Sequence, residues 1–276
     1  MRRQPIALRL PRPSVMGVLN VTPDSFSDGG RHRETEAAIA AARRMHEEGA
    51  AIVDVGGEST RPGAAAIDAR VELERVLPVL EGLAGIPLSI DTSKADVASA
   101  AIALGVELVN DVTALRGDPA LAGVVADAGS YLCLMHMKGE PGTMQEGPRY
   151  DDVVSEVISF LELRLAAAVA AGIPEERICL DPGIGFGKTV QHNLALLHSL
   201  DRLVALGRPV LVGISRKSLV ARVLGDTEGR IGSLAGSVGA AVAAFERGAA
   251  IFRVHDVREH VEALSLSHAV EQGGMA

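Results

Sequence analysis

A chain of 276 residues with 47% hydrophobic residues, only 3% aromatics and no tryptophan must build its core from Ala, Val, Leu and Ile, a composition that suits helices packed on a parallel sheet. A formal net charge of −8 repels nucleic acid and anionic membranes, so a polyanionic partner would need a local basic site. No segment reaches the roughly 18 apolar residues of a membrane helix. The two cysteines, Cys133 and Cys179, lie in apolar runs without a Cys–x–x–Cys pair; this argues against zinc and for buried thiols in a reducing compartment.

The opening MRRQPIALRLPRP (1–13) is interrupted by prolines and by Arg9 and Arg12. It reads as a short extension, not a signal peptide, and the protein is expected to be cytoplasmic. Then apolar runs recur: SVMGVLNV (14–21), AAIVDVGG (50–57), IPLSIDT (86–92), VELVNDV (106–112), SYLCLMHM (130–137), ICLDPG (178–183), PVLVGIS (209–215) and AAIFRVHDV (249–257). Each precedes a segment with helical spacing. TEAAIAAARRMHEEG puts Ala38, Ala41, Ala42 and Met45 on one face and stops at Gly49; later segments stop at Gly172 and Gly207, as helices do at a C-terminal glycine. Gly105, Gly129 and Gly248 stand just before strands four, five and eight in the same way.

Strand-then-helix repeated about eight times predicts a (β/α)8 TIM barrel, an α/β fold in a single domain. Its core spans about 14–270, and the tail EQGGMA frays. An open doubly wound sheet is the competitor, but its glycine-rich turn after strand one is missing.

In a barrel the site lies at the C-terminal ends of the strands. The residues there are Asn20; Asp54, Glu58, Ser59, Thr60 and Arg61; Asp91; Asn110 and Asp111; His136; Asp181; Ser215, Arg216 and Lys217; and Arg253, His255 and Asp256. One polar tip is expected by chance; eight point to a polar ligand. Arg253 and His255 alternate to one side of their strand and precede a helix starting near Asp256, which suits a phosphate; a salt bridge from Arg253 to a helix acid is the alternative. Asp91, Asn110 and Asp181 suit a flat heterocycle with a guanidine-like edge, unless Asp91 or Thr92 caps the following helix. Lys217 could form a Schiff base or act as a permanent cation. Ser218 opens the next helix and could hold a carboxylate. DPGIGFGKT lacks the spacing of a nucleotide phosphate loop, and its glycines suit close backbone approach to a flat ligand.

With these residues assembled, the chain resembles the dihydropteroate synthase family of pterin-binding enzymes from about residue 15 to 265. The motifs run in order: GVLNVTPDSFSDGG, VDVGGESTRPGA, SIDTSKADVA, VNDVTAL, MHMKGEPGTMQ, LDPGIGFGKT, GISRKSL and RVHDV. The resemblance implies a magnesium-assisted transferase joining 7,8-dihydropterin-6-ylmethyl pyrophosphate to 4-aminobenzoate, through an SN1-like step, with release of pyrophosphate. By matching motif, Asp91, Asn110, Asp181 and Lys217 hold the pterin, and Asn20 binds magnesium. Asn20, Arg61, Arg253 and His255 meet the pyrophosphate, while Phe26, Thr60, Arg61, Pro62 and Ser218 shape the aminobenzoate site. Lys217, Arg253, His255 and Asp91 form the catalytic set. Gly29 and Gly30 are hinges of a closing loop in which Asp24 makes a closing contact. Leu219, where an aromatic is common, alters packing near the aminobenzoate pocket. A homodimer through the late helices and competition by sulfonamides are also implied; neither nucleic acid nor membrane is a partner. The rivals are a corrinoid-linked pterin methyltransferase, a non-catalytic pterin-binding paralogue and a Schiff-base aldolase using Lys217.

Overall fold

Successive side chains of a strand face opposite ways, and here both faces are covered. In the computed structural model, which describes residues 3–22, 31–59, 63–140, 142–226 and 231–274, the elements run α1 (Ile6–Arg9), β1 (Ser14–Asn20), α2 (Arg31–Glu47), β2 (Ile52–Gly56), α3 (Ala69–Glu81), β3 (Leu88–Asp91), α4 (Ala95–Ala103), β4 (Leu108–Asp111), α5 (Leu121–Ala128), β5 (Tyr131–Met135), α6 (Val153–Ala170), β6 (Ile178–Asp181), α7 (Val190–His198), α8 (Leu200–Val204), β7 (Leu211–Val212), α9 (Ser218–Val223), α10 (Leu234–Glu246), β8 (Ile251–Val254) and α11 (Val257–Gln272). The sheet has eight strands in the order β6-β5-β4-β3-β2-β1-β8-β7, and every named strand pair is parallel. Its edges, β6 and β7, meet through a bridge between Leu180 and Val210, with the Leu180 N–H donating to the Pro209 carbonyl at 3.0 Å. The expected TIM barrel is therefore present and nearly closed.

The outer face of the strands carries Val15, Leu19, Val53, Val55, Ile90, Val109, Leu132, Leu134, Leu180, Val212 and Phe252, which pack with helix residues such as Ala38, Val97 and Ala241. Met45 of the predicted α2 face also packs on this core. A side chain at Gly17 would meet the Met45 sulfur at 2.9 Å, so β1 and α2 touch through a glycine. The inner face carries Met16, Ile52, Leu108, Tyr131, Cys133, Cys179, Leu211 and Ile251, a separate apolar cluster. Cys133 and Cys179 are buried free thiols in register across β5 and β6.

Two local features depart from the sequence reading. The helix ending at Gly207 is broken at Ser199 (φ −107°, ψ 28°) into α7 and α8. The N-terminal extension, read from the sequence only as short, forms one helical turn between its prolines, and Ile6 and Leu10 complete the inner cluster at the N-terminal ends of the strands. Arg9 binds Glu107 through Nε at 3.0 Å, and the Tyr131 hydroxyl donates to the Gln4 carbonyl at 2.9 Å. The extension closes the barrel floor opposite the strand tips.

Ile6→Ala should therefore lower unfolding free energy by about 2–5 kcal/mol, the usual cost of emptying a buried aliphatic site, as read from urea denaturation. Leu8→Ala, on the same turn but 67% exposed, should change it by less than about 0.5 kcal/mol.

Candidate active site

The inward positions of neighbouring strands end in polar side chains. Asn20 pairs in register with Gly56, Gly56 with Asp91, and Asp91 with Asn110, so the tips of β1 to β4 form one tier. Gly56 keeps that tier open: a Cβ there would stand 3.4 Å from the Asp91 Cβ and 3.9 Å from Asn20 Oδ1.

Arg253 reaches into this tier from β8. Its Nε donates to Asp54 Oδ2 at 2.6 Å and its Nη2 to Asp91 Oδ2 at 2.7 Å. Asn110 Nδ2 donates to the same Asp54 oxygen at 3.0 Å. A carboxylate only accepts, which orients the Asn110 amide and leaves its carbonyl for another donor. Burial alone would lower the Arg253 pKa, but Asp54 and then Asp91 hold it above the ordinary arginine value. Burial pushes Asp91 up, against the pull of Arg253. The ion-pair partners of Arg253 are thus carboxylates of β2 and β3, not an acid on a helix. Asp91 caps nothing: the Ala95 N–H donates instead to Asp118 at 2.9 Å.

The second half of the site is built by β6 and the segment after β7. Asp181 Oδ1 accepts from the Gly183 N–H at 2.6 Å. Burial raises its pKa, and the nearby Lys217 charge is the largest opposing influence. Lys217 donates to the Ile184 carbonyl, and its nitrogen stands 4.6 Å from the Phe186 ring centre. Burial brings Lys217 down to about 8, with Asp181 opposing and Arg253 adding to the drop. The glycines of GIGFG meet protein rather than open space. At Gly183 (φ 66°) a Cβ would run into the His136 carbonyl oxygen, and at Gly187 (φ 64°) into that of Lys138. Their left-handed backbone and missing side chains let this loop lie against the exit of β5.

The remaining tips are held by local partners. His255 lies beyond the end of β8; its N–H donates to Ser215 Oγ at 3.2 Å, and its Nδ1 is 3.3 Å from the same oxygen. Asp256 occupies the N-cap position of α11 without a side-chain cap, because its carboxylate faces Arg216, 3.0 Å from Nε. Ser218 is the first residue of α9. Asp111 turns back on its own chain and accepts from the N–H groups of Thr113 and Leu115 at 2.8 and 2.6 Å. His136 faces Lys188 rather than the tier. Leu219 is buried in the helical layer, in a groove with Leu194, Leu197 and Ala240. Phe26, Thr60, Arg61 and Pro62, with Asp24, Gly29 and Gly30, lie outside the described residues.

Three groups that organise the site carry no role in the sequence reading. Asp54 joins Arg253 to Asn110, and a carboxylate at an inward position of an otherwise apolar strand was its available signal. Lys94 donates to Glu58 at 2.6 Å and to the fully buried Glu72 at 2.5 Å, while Glu58 accepts the Ile67 N–H at 3.0 Å. These bonds tie together both roots of the loop after β2. Lys94 and Glu72 lie on separate elements and have no spacing signal. The third group is Lys188.

The chain is similar to known proteins over nearly its whole length. The family described as pterin binding enzyme matches residues 16–255. The dihydropteroate synthase of Escherichia coli (strain K12) is 46% identical over 96% of this chain and 94% of its own length. The Xanthomonas albilineans dihydropteroate synthase, solved with 4-aminobenzoic acid, is 50% identical with a TM-score of 0.87, over 95% of this chain and 94% of that one. The same enzyme solved with 7,8-dihydropteroate gives 46% identity and a TM-score of 0.83, over 95% of each chain.

Asp54→Ala should cost about 3 kcal/mol, the low end for breaking a buried pair, because it leaves the partly buried Arg253 charge short of a partner; denaturant unfolding at pH 7 reads this, and a loss below about 1 kcal/mol would contradict the bridge. Lys217 titrates near 8 in the folded protein and near about 10.4 when unfolded. Between these values the unfolded chain holds the proton that the folded one has lost, so this residue makes stability rise with pH across that window. In Lys217→Met that part of the rise should vanish; equal pH slopes for the two proteins would contradict it.

Proposed function

The chain belongs to the dihydropteroate synthase family, transferases of folate synthesis, and from that premise we propose how its own residues divide the reaction between 7,8-dihydropterin-6-ylmethyl pyrophosphate and 4-aminobenzoate. The observation that carries the reading is the pair of charged groups meeting at one mouth: Arg253 between Asp54 and Asp91, and Lys217 beside Asp181.

Asp181 has one oxygen occupied by the Gly183 N–H, so its second oxygen is the acceptor for the amino and ring N–H groups of the pterin. Asn110, its amide oriented by Asp54, offers its carbonyl and remaining N–H to the same ring. Lys217 donates to a ring acceptor, and Asp91 completes the pterin set. Arg253 and His255 face the pyrophosphate, with Arg61. Ser218 meets the aminobenzoate carboxylate, with Phe26, Thr60, Arg61 and Pro62.

Magnesium fits the donor set. Asn20 Oδ1 and Asp91 Oδ2 both stand within 4 Å of where a Cβ at Gly56 would lie, at 3.9 and 3.8 Å, so hard oxygens flank the space that this glycine leaves open. Asn20 would hold the ion, a hard cation that prefers oxygen ligands; when bound it would supply charge neutralisation to the departing pyrophosphate. Arg253 supplies fixed positive charge to the same oxygens. The methylene C–O bond breaks with its electron pair leaving on pyrophosphate, the electron-rich dihydropterin bears the positive charge, and the arylamine nitrogen then attacks and sheds a proton. The arylamine is a weak base, so the arylammonium formed by its attack gives up its proton readily and no strong general base is required.

We take the chain as one pterin-binding barrel, acting in the cytoplasm as a homodimer through its late helices. Leu266 and Val270 of α11, 68% and 73% exposed, support such an interface. Among the described residues no helix is long and apolar enough to cross a membrane.

Purified protein given both substrates should form dihydropteroate and pyrophosphate, and no product with or without magnesium would sink the reading. Asn20→Ala should raise the magnesium concentration needed for half-maximal rate by about tenfold; an unchanged requirement removes Asn20 as the ligand. Asp181→Asn should weaken pterin binding by about 10- to 100-fold in calorimetry, the loss of a charge-assisted hydrogen-bond pair.

A further inference from the structure

The GIGFGK run is not a nucleotide phosphate loop by its spacing, yet its lysine is deeply enclosed, and burial brings its pKa down to about 7. Lys188 is 3% exposed. Its ammonium stands 2.9 Å from His136 Nδ1, 2.9 Å from the Gly183 carbonyl, 3.0 Å from the Phe186 carbonyl and 3.3 Å from the His136 carbonyl. The three carbonyls only accept, so Lys188 is the donor, and the imidazole accepts at Nδ1 with its proton on Nε2. Burial, and next the Lys188 charge, hold His136 down to about 3, so the ring is neutral.

The loop that Lys188 gathers also serves Lys217. The carbonyls of residues 183 and 186 go to Lys188, while that of Ile184, between them, accepts from Lys217. The Phe186 ring lies 4.6 Å from the Lys217 nitrogen. Gly185 comes close as well: a Cβ there would stand 3.1 Å from Lys217 Cδ. The Asn193 side chain accepts the Gly185 N–H at 2.7 Å and so fastens the loop to α7. Two lysines thus hold one short loop from opposite sides, and only one of them is a substrate residue.

We propose that Lys188 is a positioning residue for the pterin end of the site: by gathering the carbonyls of His136, Gly183 and Phe186 it sets the 183–187 loop so that the Ile184 carbonyl and the Phe186 ring hold the Lys217 ammonium beside Asp181. The inference rests on the functional reading above. An apolar side chain of the same length would leave the His136 and Phe186 carbonyls facing inward without a donor and Gly183 with only the Phe186 N–H at 3.1 Å, and the loop would turn them elsewhere. The arrangement at Lys217 would be lost with it, while the aminobenzoate side, built on α9 and the loop after β2, would not.

The test uses the full chain and its Lys188→Met variant, with 6-hydroxymethylpterin as the calorimetric probe and both substrates in steady-state kinetics. Folded Lys188→Met, checked by circular dichroism, should bind the pterin about 10- to 100-fold more weakly, with the KM for 4-aminobenzoate within about twofold of the parent. Unchanged pterin affinity in the folded variant, or equal losses for both substrates, overturns the proposal. If Lys188→Met does not fold, Gln145→Ala decides. Gln145 is exposed, and its amide donates to the Gly185 carbonyl at 2.6 Å, so it loosens the same loop from outside. It should weaken pterin binding by about threefold, a share of one hydrogen bond; no change overturns the proposal. A parent protein that binds no pterin refutes the functional reading itself, which is a different result.

Discussion

Arg253 is the constraint on which the rest of the site depends. A guanidinium inside a barrel is costly to desolvate, and the arrangement holds only if its donors are met by charge. Asp54 and Asp91 meet them from positions 199 and 162 residues away in sequence. Asp54 also takes the Asn110 amide. One cation therefore ties together β2, β3, β4 and β8, and each strand must be in register for the bonds to form. The same bonds that make the interior tolerable for a charge orient the groups that face a ligand.

The site has two halves with different electrostatics. On the β2–β3–β8 side, a strongly held Arg faces outward from two carboxylates. On the β6–β7 side, Asp181 and Lys217 approach each other without a direct hydrogen bond between them, and each keeps capacity for a ligand. Burial raises the pKa of Asp181 and lowers that of Lys217, so each group would be better satisfied by a bound polar heterocycle than by its neighbour alone. This is the physical sense in which the proposed pterin would fit here. On the same proposal the pyrophosphate would be met by the permanently charged half.

Much of the structure outside the mouth serves to hold these halves still. The floor is apolar and is closed by the N-terminal turn, through Ile6 and Leu10. The loop after β2 is tied at its roots by Glu58, Lys94 and Glu72. The loop after β6 is pressed against the β5 exit by glycines that leave no room for side chains. In the two loops a polar or strained segment is supported by a buried charge or a missing Cβ rather than by bulk.

The order of elements and the barrel were legible in the sequence because apolar runs covered on both faces, alternating with amphipathic helices, have few other ways to bury themselves. Asn20, Asp91, Asn110, Asp181, Lys217 and Arg253 were legible too, since each stands at or just beyond a strand end, where side chains are forced toward the mouth. What the sequence could not determine is which of them touch. That Arg253 pairs with Asp54 and Asp91 rather than with a helix acid, that Leu219 turns into the helical layer, and that Lys188 gathers carbonyls from two loops all depend on distances set by barrel stagger and loop course. Such contacts join residues far apart in the chain, and no local pattern records them; only the closed tertiary structure decides them.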